Sequence, residues 1–303
     1  MLSILLDAVL PVFVIASIGI LIGRVFKPDP RPISRLALYV FSPALIFGSL
    51  SSADIPFRDV ITIFAFLFLW TGVLYVISWG VAWQAKIQGK ARNAFLLSTL
   101  FSNAVNYGMP LALFSFGQPG LERALLFLAP TAVLSGTLAV YIASGGNGVK
   151  GWRSVLPVFR VPMLYATVAG LALNPLNVTF PNVIGRPLEL LGDAAIPTMI
   201  MVLGIQLSHA TLKEDFVPGV IATVVRLIIS PAVAFPLTLL LGMHGVTQQT
   251  VIVLAAMPTA VFTTILATEF DARPNQVTTT VALSTACSMA TLTVLIWVVQ
   301  RLL

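Results

Sequence analysis

VITIFAFLFLWTGVLYVISWGVAW, residues 60–83, holds no charged side chain from end to end. A helix needs about 20 apolar residues to cross the hydrocarbon of a bilayer. The run does not alternate at period two, so it is not a strand of a membrane barrel. Runs of this kind recur along the chain, and they constrain the fold more than any other feature. Inside lipid every backbone group must be satisfied internally, which leaves helices. Only 9% of the 303 residues are charged, against about 25% in soluble domains. The deficit is spread over the whole length, so the chain reads as an integral, all-α membrane protein.

Marking the apolar runs predicts ten spans, at roughly 4–23, 36–53, 60–83, 94–116, 121–143, 155–173, 187–207, 216–241, 248–268 and 276–300. The polar, glycine-rich SGGNGVKGWR at 144–153 separates a first unit, 1–143, from a second, 154–303. The two units echo each other. Pro11 and Gly19 are spaced as Pro162 and Gly170 are. Arg31-Pro32 recurs as Arg186-Pro187, an offset of 155. The same offset relates Asn103 to Pro258 and Pro119 to Pro274, and Pro43 and Pro197 miss it by one residue. Five spans per unit would turn the second copy upside down, the pattern of inverted-repeat transporters.

The net charge is +6. In a membrane chain the basic residues set orientation, and no basic-aromatic cluster suggests nucleic acid. With the N-terminus outside, twelve Lys and Arg fall in inner loops: Arg24, Lys27, Arg31, Arg35, Lys86, Lys90, Arg92, Lys150, Arg153, Arg160, Lys213 and Arg273. Arg58, Arg123, Arg186 and Arg301 fall outside. Both termini are therefore expected on the outer side of the cell (inner) membrane. The first span, with no basic residues before it and Asp7 within it, reads as a membrane helix rather than a cleaved leader. The single cysteine, Cys287, has no Cys or His neighbours. No metal site or cofactor is expected, and no nucleophile–base pair, so the chain does not read as an enzyme.

FSNAVNYGMPLALFSFG, 101–117, interrupts the fourth span with Asn103, Asn106, Gly108 and Pro110. Proline removes a backbone donor and glycine leaves helical geometry easily, so a break is expected around Gly108–Pro110. The ninth span is interrupted by Pro258 and Thr259. Broken helices at matched places in inverted repeats point to a binding site near the midplane. The exposed N-termini of half-helices favour an anion. Asn103, Asn106 and Thr259 can donate hydrogen bonds, and Tyr107 adds a ring and a hydroxyl. Together they suit a carboxylate on a small, partly apolar body. The alternative is a proline kink with the asparagines satisfying helix carbonyls.

These residues carry a resemblance. Asn103 through Gly108 and Pro110 to Leu111, N-x4-G-x-P-L, resembles the fourth-helix motif of the auxin efflux carrier family. AAMPTAVFTTILATEFDARPNQVTTTVALST resembles its ninth helix and the start of its tenth. LYVFSPALIF and PTMIMVLGIQL are similar to its second and seventh. The resemblance implies a ten-helix fold shared with bile-acid-type sodium symporters. Helices 1, 2, 6 and 7 would form a scaffold, and helices 3–5 and 8–10 a transport domain whose broken helices 4 and 9 cross. It places the family's crossover asparagine on Asn103 and its crossover prolines on Pro110 and Pro258. It also implies alternating access by domain movement, and a homodimer through the scaffold.

Arg226 is the one basic residue well inside a span. Either it holds a substrate carboxylate, or it pairs with Asp193 or a helix C-terminus as structure. Asp193, Asp7, Glu269, Asp271 and Gln206 read as interfacial groups. Ser284, Ser288 and Thr291 share a helix face and read as a close-packing surface, with a direct ligand role as the alternative. His209 and His244 fall in loops. The expected function is a secondary transporter for a small organic anion, a mono- or dicarboxylate such as an auxin-like acid, malate or malonate. The alternative is a sodium-coupled organic-anion symporter, weakened because MPTAVF offers no acidic ligand at the ninth-span break. A non-transporting membrane sensor is a remote third reading.

Overall fold

In the computed structural model residues 1–146, 162–176, 180–208 and 215–303 are described. Most of the predicted linker, the opening of the sixth span, and Lys150, Arg153, Arg160, His209 and Lys213 lie outside them. Among the described residues, seven helices are long and apolar enough to cross a membrane: α1 (Leu2–Val25), α2 (Pro30–Ser51), α3 (Phe57–Gln84), α5 (Ala104–Ala143), α7 (Asn182–Ser208), α8 (Phe216–Leu240) and α11 (Pro274–Leu302). Shorter helices fill the order: α4 (Gly89–Leu100), α6 (Pro162–Leu173), α9 (Gly245–Ala255) and α10 (Phe262–Glu269). The predicted fourth span starts as α4 and resumes, after a gap, in α5. The ninth is α9 followed by α10. The 40-residue α5 also carries the predicted fifth span. It turns at Gly117, where φ is 67° and ψ −161°, a backbone state open to glycine.

Prolines inside these spans mostly do not break them. Pro11, Pro43, Pro110 and Pro231 each stand two residues beyond a widened, π-type turn: Leu5–Val9, Ala37–Phe41, Ala104–Gly108 and Val225–Ile229. A proline ring clashes with the carbonyl four residues earlier and cannot donate to it. A wider turn before it takes up both defects. The helix therefore continues through Pro110, and the expected break at Gly108–Pro110 is not there. Gly108 is helical, at φ −66° and ψ −43°. Its missing side chain serves packing instead, since a Cβ would fall 2.7 Å from Leu254 of α9.

Two pairs of helices run together. α7 lies along α1, and α6 lies along α2. The α1–α7 approach is close enough that a Cβ on Gly204 would fall 2.1 Å from the Ala16 carbonyl oxygen, and one on Gly19 2.4 Å from that of Met201. Small residues let helices meet this way in lipid, where no hydrophobic force pulls them together. Polar bonds join α3, α4, α5, α8, α9 and α11. Thr247 ahead of the middle of α9 donates to Asp59 of α3 at 2.5 Å, and accepts from Arg123 of α5 at 3.3 Å. Gln276 and Gln300 of α11 donate to the carbonyls of Ala91 in α4 and Ser115 in α5, both at 3.0 Å. Trp70 of α3 donates to the Ser230 carbonyl of α8 at 3.4 Å.

Ion pairs at the helix ends add little. Lys90 bonds Asp271, and the two side chains are 61% and 83% exposed. Lys90 holds the Asp271 carboxyl below its ordinary value, through its hydrogen bond first and its charge second. A lowered carboxyl contributes above its unfolded pKa and loses that contribution as the pH falls. In open solvent the contribution is close to nothing. Asp271→Asn is expected to leave the melting temperature within about 1 °C of the parent, measured at neutral pH.

Candidate functional site

The first interruption is the extended stretch Phe101–Asn103 between α4 and α5. The second is Ala256–Val261, between α9 and α10. Each break leaves backbone groups without helical partners, which costs several kcal/mol per group in a dry interior. The two breaks resolve this by crossing. Asn103 N–H donates to the Pro258 carbonyl at 2.8 Å, and Ala260 N–H donates to the Phe101 carbonyl at 2.9 Å. Ser102 and Thr259 form an antiparallel bridge between them. Asn103 and Pro258, 155 positions apart in the sequence, thus meet in a buried contact.

Four further carbonyls, of Ser98, Thr99, Ala255 and Met257, are covered by side chains. Thr259 Oγ1 donates to the Ser98 carbonyl at 2.8 Å, and Thr259 N–H donates to Ser284 Oγ at 3.1 Å. Ser230 donates to the Ala255 carbonyl at 2.6 Å. Arg226 does the most. Its Nε donates to the Met257 carbonyl at 2.9 Å, and its Nη1 and Nη2 to those of Thr99 and Ala255, both at 2.8 Å. Its guanidinium also lies 5.2 Å from the Trp70 ring centroid. The residue is 0% exposed. Arg226 is therefore committed to the C-terminal ends of two half-helices, the second of the roles its sequence position left open. It makes no ion pair with Asp193, which is exposed. Three of its five N–H donors are thereby given to backbone carbonyls.

The opposite ends of the break are different. Asn103 stands at the N-cap of α5 and Val261 at that of α10, and neither makes a side-chain cap. Thr263 and Thr264 N–H at the start of α10 donate to the Ala260 and Val261 carbonyls at 3.2 and 3.0 Å, whereas the first amides of α5 have no preceding turn to receive them. Asn103 is 4% exposed, and its Nδ2 is buried with no hydrogen-bond partner. Unpartnered buried donors are uncommon in native proteins. Asn106 is half-buried one turn on. Tyr107 is buried. Its hydroxyl accepts from Ser288 at 3.3 Å, and its ring meets Phe13 of α1 edge-on at 5.8 Å. Pro110, Pro258 and Thr259 are buried as well.

The structure thus brings Asn103, Asn106, Tyr107, Pro258 and Thr259 to one crossing, with Gly108 and Pro110 on the helix that leaves it. Sequence reasoning placed Ser284 and Ser288 first as packing residues, with a direct ligand role as the alternative. They are that, and they also bond the second break and Tyr107. Their signal was the four-residue spacing of small hydroxyls in LSTACSMATLT. Trp70 and Ser230 were missed, and nothing local in their sequence marks them. Thr285, whose hydroxyl is buried and unpartnered, belongs to the same helix face.

Comparison with known proteins matches the family described as membrane transport protein over residues 4–142 and 153–296. An uncharacterized transporter of Methanocaldococcus jannaschii is 24% identical over 97% of this chain and 98% of its own length. A Rhizobium meliloti protein with a provisional malonate-transporter name is 25% identical over 96% of this chain and 95% of its own. Auxin efflux carrier component 2 of rice is 25% identical over 54% of this chain and 25% of the carrier.

Proposed function

The chain belongs to the membrane transport protein family, with auxin efflux carriers among its relatives, and on that premise we propose that it is a secondary transporter for a small organic anion. The observation that carries the reading is the Asn103 amide, buried without a partner where the two breaks cross. A carboxylate at this point would accept from Asn103 Nδ2 and from first-turn amides of a half-helix, with Asn106, Tyr107 and Thr259 as neighbours. Pro258 and Pro110 would hold the segments that border it. A mono- or dicarboxylate fits. A malonate-like or auxin-like acid is suggested by the names of relatives alone.

The same reading takes the chain as ten spans in two inverted repeats, 1–143 and 154–303. The contact between Asn103 and Pro258 across the 155-residue offset supports it. So does the pairing of α1 with α7 and of α6 with α2, with Gly19 and Gly170 both at close approaches. α1, α2, α6 and α7 would be the scaffold. The polar bonds that lace α3–α5 to α8–α11 suit a transport domain that moves as one body in alternating access. A homodimer through the scaffold, and both termini on the outer side of the cell membrane, complete the proposal.

The test is thermal unfolding of the purified protein against a panel of carboxylates. A ligand of the native state raises stability by RT ln(1 + [L]/Kd), about 2.7 kcal/mol at a hundredfold excess over Kd. At least one acid is expected to give a saturable rise, with its amide or alcohol analogue inert. A panel in which neutral solutes or cations stabilise and no acid does would overturn the organic-anion reading.

A further inference from the structure

Three backbone carbonyls, of Thr99, Ala255 and Met257, converge on one point beside the crossing. Two of them close helices, α4 and α9, and the C-terminal ends of helices carry partial negative charge. Half-helix C-termini and unwound carbonyls in a dry interior are what membrane carriers use to hold a dissociable cation. Here a guanidinium fills the place. Arg226 reaches it from α8, a helix outside both breaks, and it comes off the widened turn Val225–Ile229. No carboxylate of the described residues makes an ion pair with it within 4.0 Å. Helix ends and the Trp70 face are what answer its charge.

A buried arginine is expensive in a membrane protein. Three carbonyls alone do not require one, since hydroxyls of the kind Ser230 offers to Ala255 would serve. Two converging helix ends do call for a positive charge. We propose that Arg226 is the crossing's built-in counter-ion. It positions both breaks and occupies the place of an exchangeable monovalent cation, so its neutral variants open a cation site at the Thr99, Ala255 and Met257 carbonyls. Its bearing on transport rests on the crossing being the substrate site. The cation site itself does not.

The experiment compares wild type, Arg226→Ala, Arg226→Gln and Arg226→Lys by thermal unfolding in detergent. Ionic strength is held constant while choline is replaced by sodium or potassium, or by guanidinium at low millimolar concentration. Wild type and Arg226→Lys, each with the charge in place, are expected to respond equally to choline and the metals. Arg226→Ala is expected to gain a saturable rise of roughly 3 °C or more from sodium, potassium or guanidinium, and Arg226→Gln a smaller one. A folded Arg226→Ala that ignores all three cations overturns the proposal. So does a wild type that sodium stabilises as much as the variants. If neither neutral variant folds, Arg226→Lys decides. Folding with an unchanged response to carboxylates sustains the counter-ion role, and collapse like that of the neutral variants makes the arginine fork structural only. Carboxylates that bind none of the folded proteins would sink the proposed function while leaving the cation result intact.

Discussion

Gly204→Ala is expected to lower the melting temperature by roughly 6 °C, the equivalent of about 3 kcal/mol for a chain of this size. One added methyl would stand 2.1 Å from the Ala16 carbonyl oxygen and 2.8 Å from the Gly19 Cα. Both neighbours are backbone, so neither can swing aside. α1 and α7 would have to part along their whole contact, and that contact is packing rather than solvent exclusion, since lipid tails solvate apolar surface as well as another helix does. Gly80 is the control. It lies in α3 with nothing within 4 Å of its built Cβ, and Gly80→Ala is expected to be neutral or slightly stabilising through helix propensity. Thermal unfolding of both variants in one detergent checks the pair. Equal shifts would mean that the α1–α7 approach is looser in solution than the structure has it.

Hydropathy exposed the helical class and the apolar runs because burial in lipid dictates both. Asn103 and Pro258, which the 155-residue offset paired in the sequence, share a hydrogen bond. Three things were not legible. The break lies seven residues upstream of Gly108 at its start, because a widened turn rather than a rupture absorbs Pro110, as others absorb Pro11, Pro43 and Pro231. The sequence carries the proline but not the turn width. Among the described residues length alone yields seven spanning helices, since α5 carries both the fourth and fifth predicted spans, the ninth is divided, and the opening of the sixth lies outside those residues. The partners of Arg226 are backbone carbonyls from 29 to 127 positions away. Carbonyls have no residue identity, so no pattern of side chains announces them. Asn103 was legible for the opposite reason, as a polar side chain in an apolar run with no local partner to explain it.

Asn103→Ala is expected to separate stability from binding. In most buried sites, removing an amide costs stability because a partner is left unsatisfied. Asn103 Nδ2 has no such partner, and the bond that matters to the fold is made by its backbone N–H to Pro258, which alanine keeps. The ligand-free variant is therefore expected to unfold within about 1 kcal/mol of the parent. Affinity for the carboxylate should fall much further. A hydrogen bond to a charged group contributes about 1.5–3 kcal/mol, which corresponds to roughly a 10- to 100-fold weaker Kd. Asn103→Asp is the sharper companion, because a second carboxylate in a site of low dielectric repels the first, and binding at neutral pH should be lost. Calorimetry or ligand-induced thermal shifts on the three proteins give both numbers. If Asn103→Ala unfolds early and binds normally once folded, the amide has a structural partner and the anion sits elsewhere. If it folds as the parent does and binding alone is lost, the idle donor at the crossing is idle because its partner is the substrate.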